Sequence, residues 1–192
     1  MKKVAHIVSI IGHPLLTYPI FLIIVLFRNE VASRALGILA LIIGCVFIPV
    51  IIRLYLKSKN GTYTNFDVSD RNQRKSIFWF SIPLLMLVTA VLFLTNQSIN
   101  LCISVLFALI LLIISSLMNF YTKSSLHVSF NIYLSALIVA HSFIIGSMVL
   151  LFTVFIGWSR LKLGRHTFKE VLFGSVLGVL MSFWMLTVKG YL

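Results

Sequence analysis

Charge is what this sequence has least of. Only 10% of its 192 residues are charged, against 60% hydrophobic, and the mean hydropathy is +1.08. A soluble domain carries about 25% charged residues, so too few are present to cover a water-facing surface. The composition excludes a soluble domain and predicts an all-α transmembrane bundle. At about 20 residues per crossing it holds six or seven spans. Acids are scarcest: Glu30, Asp67, Asp70 and Glu170 are the four. That is too few for a carboxylate cage except where Asp67 and Asp70 meet, so no metal or other cofactor is expected. Cysteine is limited to Cys45 and Cys102, both inside apolar runs where a thiol behaves as a small hydrophobe and no disulfide framework is supported. Internal repeats, low-complexity stretches and long linkers are lacking too, so residues 1–192 read as a single membrane domain.

What is present in excess is basic charge, 16 Lys and Arg, for a net +12. On a hydrophobic chain such an excess marks loops facing the cytoplasm and anionic headgroups, so membrane lipid rather than nucleic acid is the expected partner. Apolar runs fall at Ile7 to Phe27, Ala35 to Leu56, Ile77 to Thr95, Ile99 to Tyr121, Val128 to Trp158 and Phe168 to Val188. The first has no small-x-small cleavage pattern after it and reads as a retained span, kinked by Gly12-His13-Pro14 and Pro19. His13 is either a polar contact between helices, the commoner case, or a functional group. The 31-residue run from Val128 is too long for one crossing, and a turn near His141-Ser142 and Gly146 divides it into two short spans.

With seven spans, the loops at 57–76, 122–126 and 159–167 emerge on the same side as Met1. All basic residues but Arg28, Arg34 and Lys189 lie on that side. The positive-inside rule makes it cytoplasmic, and the expected location is a bacterial inner membrane.

In or beside these three loops are the residues that can carry chemistry. Arg160 precedes His166 by six residues and Glu170 follows it by four. An i to i+4 step on a helix returns to the same face, so Glu170 can accept a hydrogen bond from one ring nitrogen and leave the other free to attack or to move a proton. Thr167-x-x-Glu170 also reads as a capping box, in which Glu170 serves the helix end instead. Arg160 can fold back and hold a phosphate in its planar fork, or anchor the bundle at the headgroups with Lys162 and Arg165. Lys123-Ser124-Ser125-Leu126-His127 places a hydroxyl and backbone amides at a helix start, suited to an anion, with His127 one turn in. Its plain reading is a capping serine and an interfacial histidine. Asp67 to Lys75 adds Arg71, Arg74 and Lys75, with Asp70 as a helix cap.

The run from Ser159 to Glu170 resembles Ser-Arg-x5-His-x3-Asp, the third signature of the type 2 phosphatidic acid phosphatase superfamily, with Glu170 for Asp. Ser124-Ser125-Leu126-His127 is similar to its second signature, Pro-Ser-Gly-His, in the Ser and His. In the first, Lys-x6-Arg-Pro, Arg74 stands for the Arg, while Asp67 occupies the Lys place and Lys75 the Pro place. The resemblance covers roughly residues 67 to 170 and puts a phosphatase-like core at about 67–188. It implies a metal-independent membrane lipid phosphatase acting on a phosphomonoester or diphosphate of a lipid or isoprenoid alcohol. His166 would be the nucleophile oriented by Glu170, and His127 the acid and base. Arg160, Ser125, Arg74 and Lys123 would bind the phosphoryl oxygens. Two other expectations stand beside it. One is a lipid head-group phosphotransferase of the same superfamily. The other is a non-catalytic bundle, a small transporter or assembly subunit, which would place its polar residues at mid-membrane.

Overall fold

A computed structural model describes residues 1–192, all helix and connecting loop with no strand. Helix α1 (Lys2–Ile11) and helix α2 (Pro14–Asn29) meet at a 43° bend. The bend follows from the sequence. Pro14 has no N–H to continue a helix but is pre-set to start one, and the His13 ring accepts the free Leu15 N–H through Nδ1 at 3.1 Å. Pro19, in contrast, sits inside α2 without ending it. Next come α3 (Ala32–Ile42) and α4 (Ile48–Lys59), one 28-residue span joined through a π turn at Ile43–Phe47. Pro49 cannot donate to the carbonyl four residues back, and the wider turn accommodates that loss, with the Ile48 N–H reaching the Ile43 carbonyl.

Then follow α5 (Arg71–Leu94), α6 (Ile99–Met118), α7 (Leu126–Val139), α8 (Phe143–Lys162) and α9 (Phe168–Val188). Five spans are long and apolar enough to cross a membrane, and the bent α1–α2 pair makes a sixth. Helix α5 begins six residues before its apolar run because Asp70 caps it, its carboxylate accepting the N–H groups of Asn72 and Gln73 at 2.9 Å. The long run from Val128 divides at Ala140–Ser142, as expected, but the two helices that share it are unequal, 14 and 20 residues long. Helix α7 is therefore only about 21 Å long at the α-helical rise, short of the ~30 Å hydrocarbon thickness. It is the inner helix, enclosed by α2, α6, α8 and α9, with only four of its 14 residues not buried.

Glycine sets how closely α7 and α9 approach. A Cβ on Gly174 would lie 2.7 Å from the Ser125 carbonyl oxygen, and one on Gly178 would lie 2.8 Å from that of Ser129. This is the small-x-x-x-small spacing that lets helices in membranes touch backbone to backbone. Outward-facing Ile144, Leu151, Val154 and Phe155 of α8 and Leu180 and Phe183 of α9 are exposed, an apolar surface suited to lipid.

The loops sort to two ends. Arg71 donates to the carbonyls of Asn119 (2.7 Å) and Phe120, and Lys123 donates to the carbonyl of Ser69 at 3.2 Å, so the loops before α5 and after α6 meet. Arg165, in the loop after α8, donates to Ser69 Oγ at 3.4 Å and joins the third to them. At the other end Arg34 bonds Gln97 and Lys189 bonds Ser104.

Candidate active site

His166 lies in the turn between α8 and α9, where Gly164 supplies the left-handed residue (φ +65°) that reverses the chain. The two roles open to Glu170 turn out to be compatible. Its Oε2 accepts from the Thr167 N–H at 3.1 Å, closing a capping box with Thr167 Oγ1, and the same oxygen lies 3.0 Å from His166 Nδ1. With the ring proton on Nδ1, Nε2 keeps its lone pair. The ring is nearly buried. That burial first, and then the charges of Arg74, Arg160 and Lys123, hold its pKa well below the usual histidine value, so the imidazole is neutral.

Facing it is the start of α7. Gly174 and Gly178 bring this helix against α9 closely enough for the Ser125 N–H to bond the Glu170 carbonyl at 3.0 Å. Ser124 Oγ and Ser125 Oγ are both buried with no hydrogen-bond partner, and so is His127 Nε2. Buried hydroxyls and ring nitrogens left unpaired are uncommon, and these three fall within four residues at the start of α7. Arg74, also buried, turns its fork onto the Ser124 carbonyl, with NH1 and NH2 at 3.1 and 3.0 Å, and so fixes the loop ahead of α7. Lys123, expected to bind phosphoryl oxygens, has two partners within the protein. Its ammonium lies 3.5 Å from Glu170 Oε1 and bonds the Ser69 carbonyl, so it steadies the carboxylate that holds His166.

Arg160, at 1% exposure, has an unforeseen partner. Its NH1 donates to Asp67 Oδ2 at 2.6 Å and to Ser9 Oγ at 2.6 Å, while its Nε has no partner. Asp67 Oδ1 lies 3.6 Å from His13 Nε2 and 3.9 Å from His127 Nε2. Asp67 and Asp70 do not share a site, since Asp70 is used as the α5 cap. Sequence reasoning left His13 open between a polar contact and a functional group and passed over Ser9; the bend between α1 and α2 carries both to the site. Asn131 makes the connection, donating to the Gly12 carbonyl at 2.8 Å, and the His13 and His127 rings stand edge to face with centroids 4.6 Å apart. The Gly174-x-x-x-Gly178 spacing was the available signal for the α7–α9 approach; for His13 the signal was an imidazole inside an apolar run, and Ser9 had none.

His13, Asp67 and His127 stand close enough to share an ion, with ligand atoms within 4.8 Å of one another. Their chemistry does not fit one. Because His13 Nδ1 accepts the Leu15 N–H, the ring proton sits on Nε2, the atom that would have to bind. The Asp67 carboxylate is also held by a guanidinium.

Arg74, Arg160, His13, His127, His166 and Asp67 line one end of a cavity of about 520 Å³ that continues between the helices past Tyr18, Phe78 and Leu137 toward His141 and Lys189. Most of its lining is hydrophobic. Compared with family models, curated proteins and solved structures, the chain matches none.

Proposed function

We propose that the protein is a membrane phosphatase acting on the phosphomonoester or diphosphate of a lipid or isoprenoid alcohol, as its resemblance to the type 2 phosphatidic acid phosphatase superfamily implies. The observation that carries this reading is the convergence, at the polar mouth of an apolar cavity, of a neutral His166 held through Nδ1 by Glu170, a second unpartnered histidine and two buried arginines.

In this reading the lipid chain occupies the apolar cavity and its phosphate sits between Arg160, Arg74 and the start of α7. His166 Nε2 attacks phosphorus, and the bond from phosphorus to the lipid oxygen breaks. His127 takes up a proton when the dianionic phosphate binds beside it and gives that proton to the departing oxygen, so the alcohol leaves neutral. Glu170 stabilises the imidazolium formed when the phosphohistidine appears. His127, now neutral, takes a proton from water as the water oxygen attacks phosphorus. The phosphorus–nitrogen bond then breaks and phosphate is released. An alcohol in place of water would give the phosphotransferase outcome by the same steps.

The test is phosphate release from a panel of lipid phosphates by the purified protein in detergent. Release that disappears in both His166→Ala and His127→Ala supports the reading. A wild-type protein that releases phosphate from no member of the panel refutes it.

A further inference from the structure

We propose that Asp67 is a specificity-determining residue, a built-in anion seated on Arg160 that an incoming phosphoryl group must displace. The inference rests on the phosphate-binding reading of this site and goes beyond it by saying which phosphates are admitted.

Three observations carry it. Asp67 holds Arg160 at 2.6 Å, the short charge-assisted bond that a phosphoryl oxygen would make, and its other oxygen is directed at the two histidines that line the cavity mouth. The carboxylate is also held in place by its loop. Val68, the next residue, is a buried β-branched side chain in the left-handed region (φ +46°), packed with Val50, Leu54 and Tyr63, and Asn65 Oδ1 accepts from both the N–H and the hydroxyl of Ser69. A valine rarely adopts that backbone conformation, and such strain persists only where the surroundings enforce it. Finally, Asp67 stands in the wall between two spaces. It lines the inner cavity with Arg74, His127 and His166, and it lines an outer groove of about 570 Å³ with His6, Asn65 and Arg165.

The consequence is selection by charge. A phosphodiester carries one negative charge: on Arg160 it merely exchanges with the carboxylate, and at Arg74 alone it leaves Asp67 in place, so in neither case does it bridge the two arginines. A phosphomonoester or diphosphate carries a second charge, which also meets Arg74. Asp67 therefore sets a threshold that singly charged esters do not pass.

The experiment measures the thermal stability of wild type and Asp67→Asn in detergent across titrations of inorganic phosphate and of dimethyl phosphate. For Asp67→Asn, phosphate should bind at least about ten-fold more tightly than to wild type, and the preference for phosphate over dimethyl phosphate should shrink. Phosphate binding no tighter in the variant, or an unchanged preference, overturns the proposal. If Asp67→Asn does not fold alone, Asp67→Asn and Asp67→Ser are prepared in excess phosphate throughout. Recovery of folded protein in phosphate but not in chloride supports the proposal, because the anion has then replaced the carboxylate, and failure of both variants to fold in phosphate overturns it. A wild type that cleaves lipid phosphates while the variant shows no tighter binding defeats this inference and leaves the phosphatase reading standing.

Discussion

Gly174→Ala tests whether the site depends on how closely α9 approaches α7. The new Cβ would lie 2.7 Å from the carbonyl oxygen of Ser125 and 3.0 Å from its nitrogen, both backbone atoms that cannot rotate away. One of the helices must move by several tenths of an ångström. Overpacking of this kind costs about 1–3 kcal/mol. The displaced atoms belong to the start of α7, and the bond from the Ser125 N–H to the Glu170 carbonyl is the first to stretch. Misplacing a reacting group by about 1 Å can cost about 10²-fold in rate, so phosphate release should fall by one to two orders of magnitude, approximately. Gly37→Ala is the control: it lies in α3 with nothing within 4 Å of the added atom, and should be neutral or stabilising by about 0.5–1 kcal/mol. The assay pairs thermal unfolding in detergent with lipid phosphate release. If Gly174→Ala were as stable and as active as Gly37→Ala, the close α7–α9 contact would be wrong, and with it the placement of Ser125 beside the His166 loop.

His166→Ala and His127→Ala should each abolish phosphate release while retaining the elution profile and unfolding temperature of wild type to within a few degrees; near-normal release by either would remove its assigned role. Arg160→Lys should lose release as well, since a point charge cannot hold two oxygens as a planar fork does. Because His166 is held neutral in the fold while its unfolded pKa is near 6.5, the unfolded chain takes up the proton first, and stability should drop as pH falls below about 6.5, by up to about 2 kcal/mol at pH 5; His166→Gln should flatten that part of the unfolding-temperature profile. Cysteines introduced at Ser69 and Lys162 should react with an impermeant reagent from one side of the membrane and one at Gln97 from the other; labelling of 69 and 162 from opposite sides would separate the parts of the site. Chelators should leave phosphate release intact, and loss on chelation with recovery on adding Mg²⁺ would overturn the histidine mechanism.

The helices were largely legible in the sequence because each apolar run is bounded by residues with one structural use. Gly12-His13-Pro14 bends the first run, Asp70 caps α5, and the Ala140–Ser142 turn divides the run from Val128. The His166–Glu170 bond was legible too, being a local i to i+4 step. The hold of Asp67 on Arg160 was not. Those residues are 93 positions apart, and neither helical period nor motif spacing relates a residue in the loop before α5 to one at the end of α8. The partners of Lys123 were hidden for a related reason. A lysine beside a serine-rich helix start suits a phosphate on local grounds, but Ser69 and Glu170 reach it from two other loops. His13 shows the reverse case, a residue whose neighbours in sequence are apolar and whose neighbours in space are Asp67 and His127.

The balance of charge at the site has a functional consequence. Arg74, Arg160 and Lys123 bring three positive charges to a largely buried place, and only Asp67 and Glu170 oppose them. Glu170 is shared by Lys123, His166 and the start of α9, and Asp67 is committed to Arg160, so Arg74 is left with a neutral carbonyl as its partner. A buried cation with no counter-charge is costly, and the site is held at a net excess of one. A singly charged ligand could cancel that excess at Arg74 while leaving Asp67 on Arg160, where it would gain one arginine and lose contact with the other. A dianionic phosphoryl group can do both: one charge offsets the excess and the other takes the place of the carboxylate when Asp67 withdraws. On the phosphatase reading, a group held between both arginines would have its phosphorus at the mouth that His127 and His166 share, so the excess of positive charge would itself hold the reacting group in place.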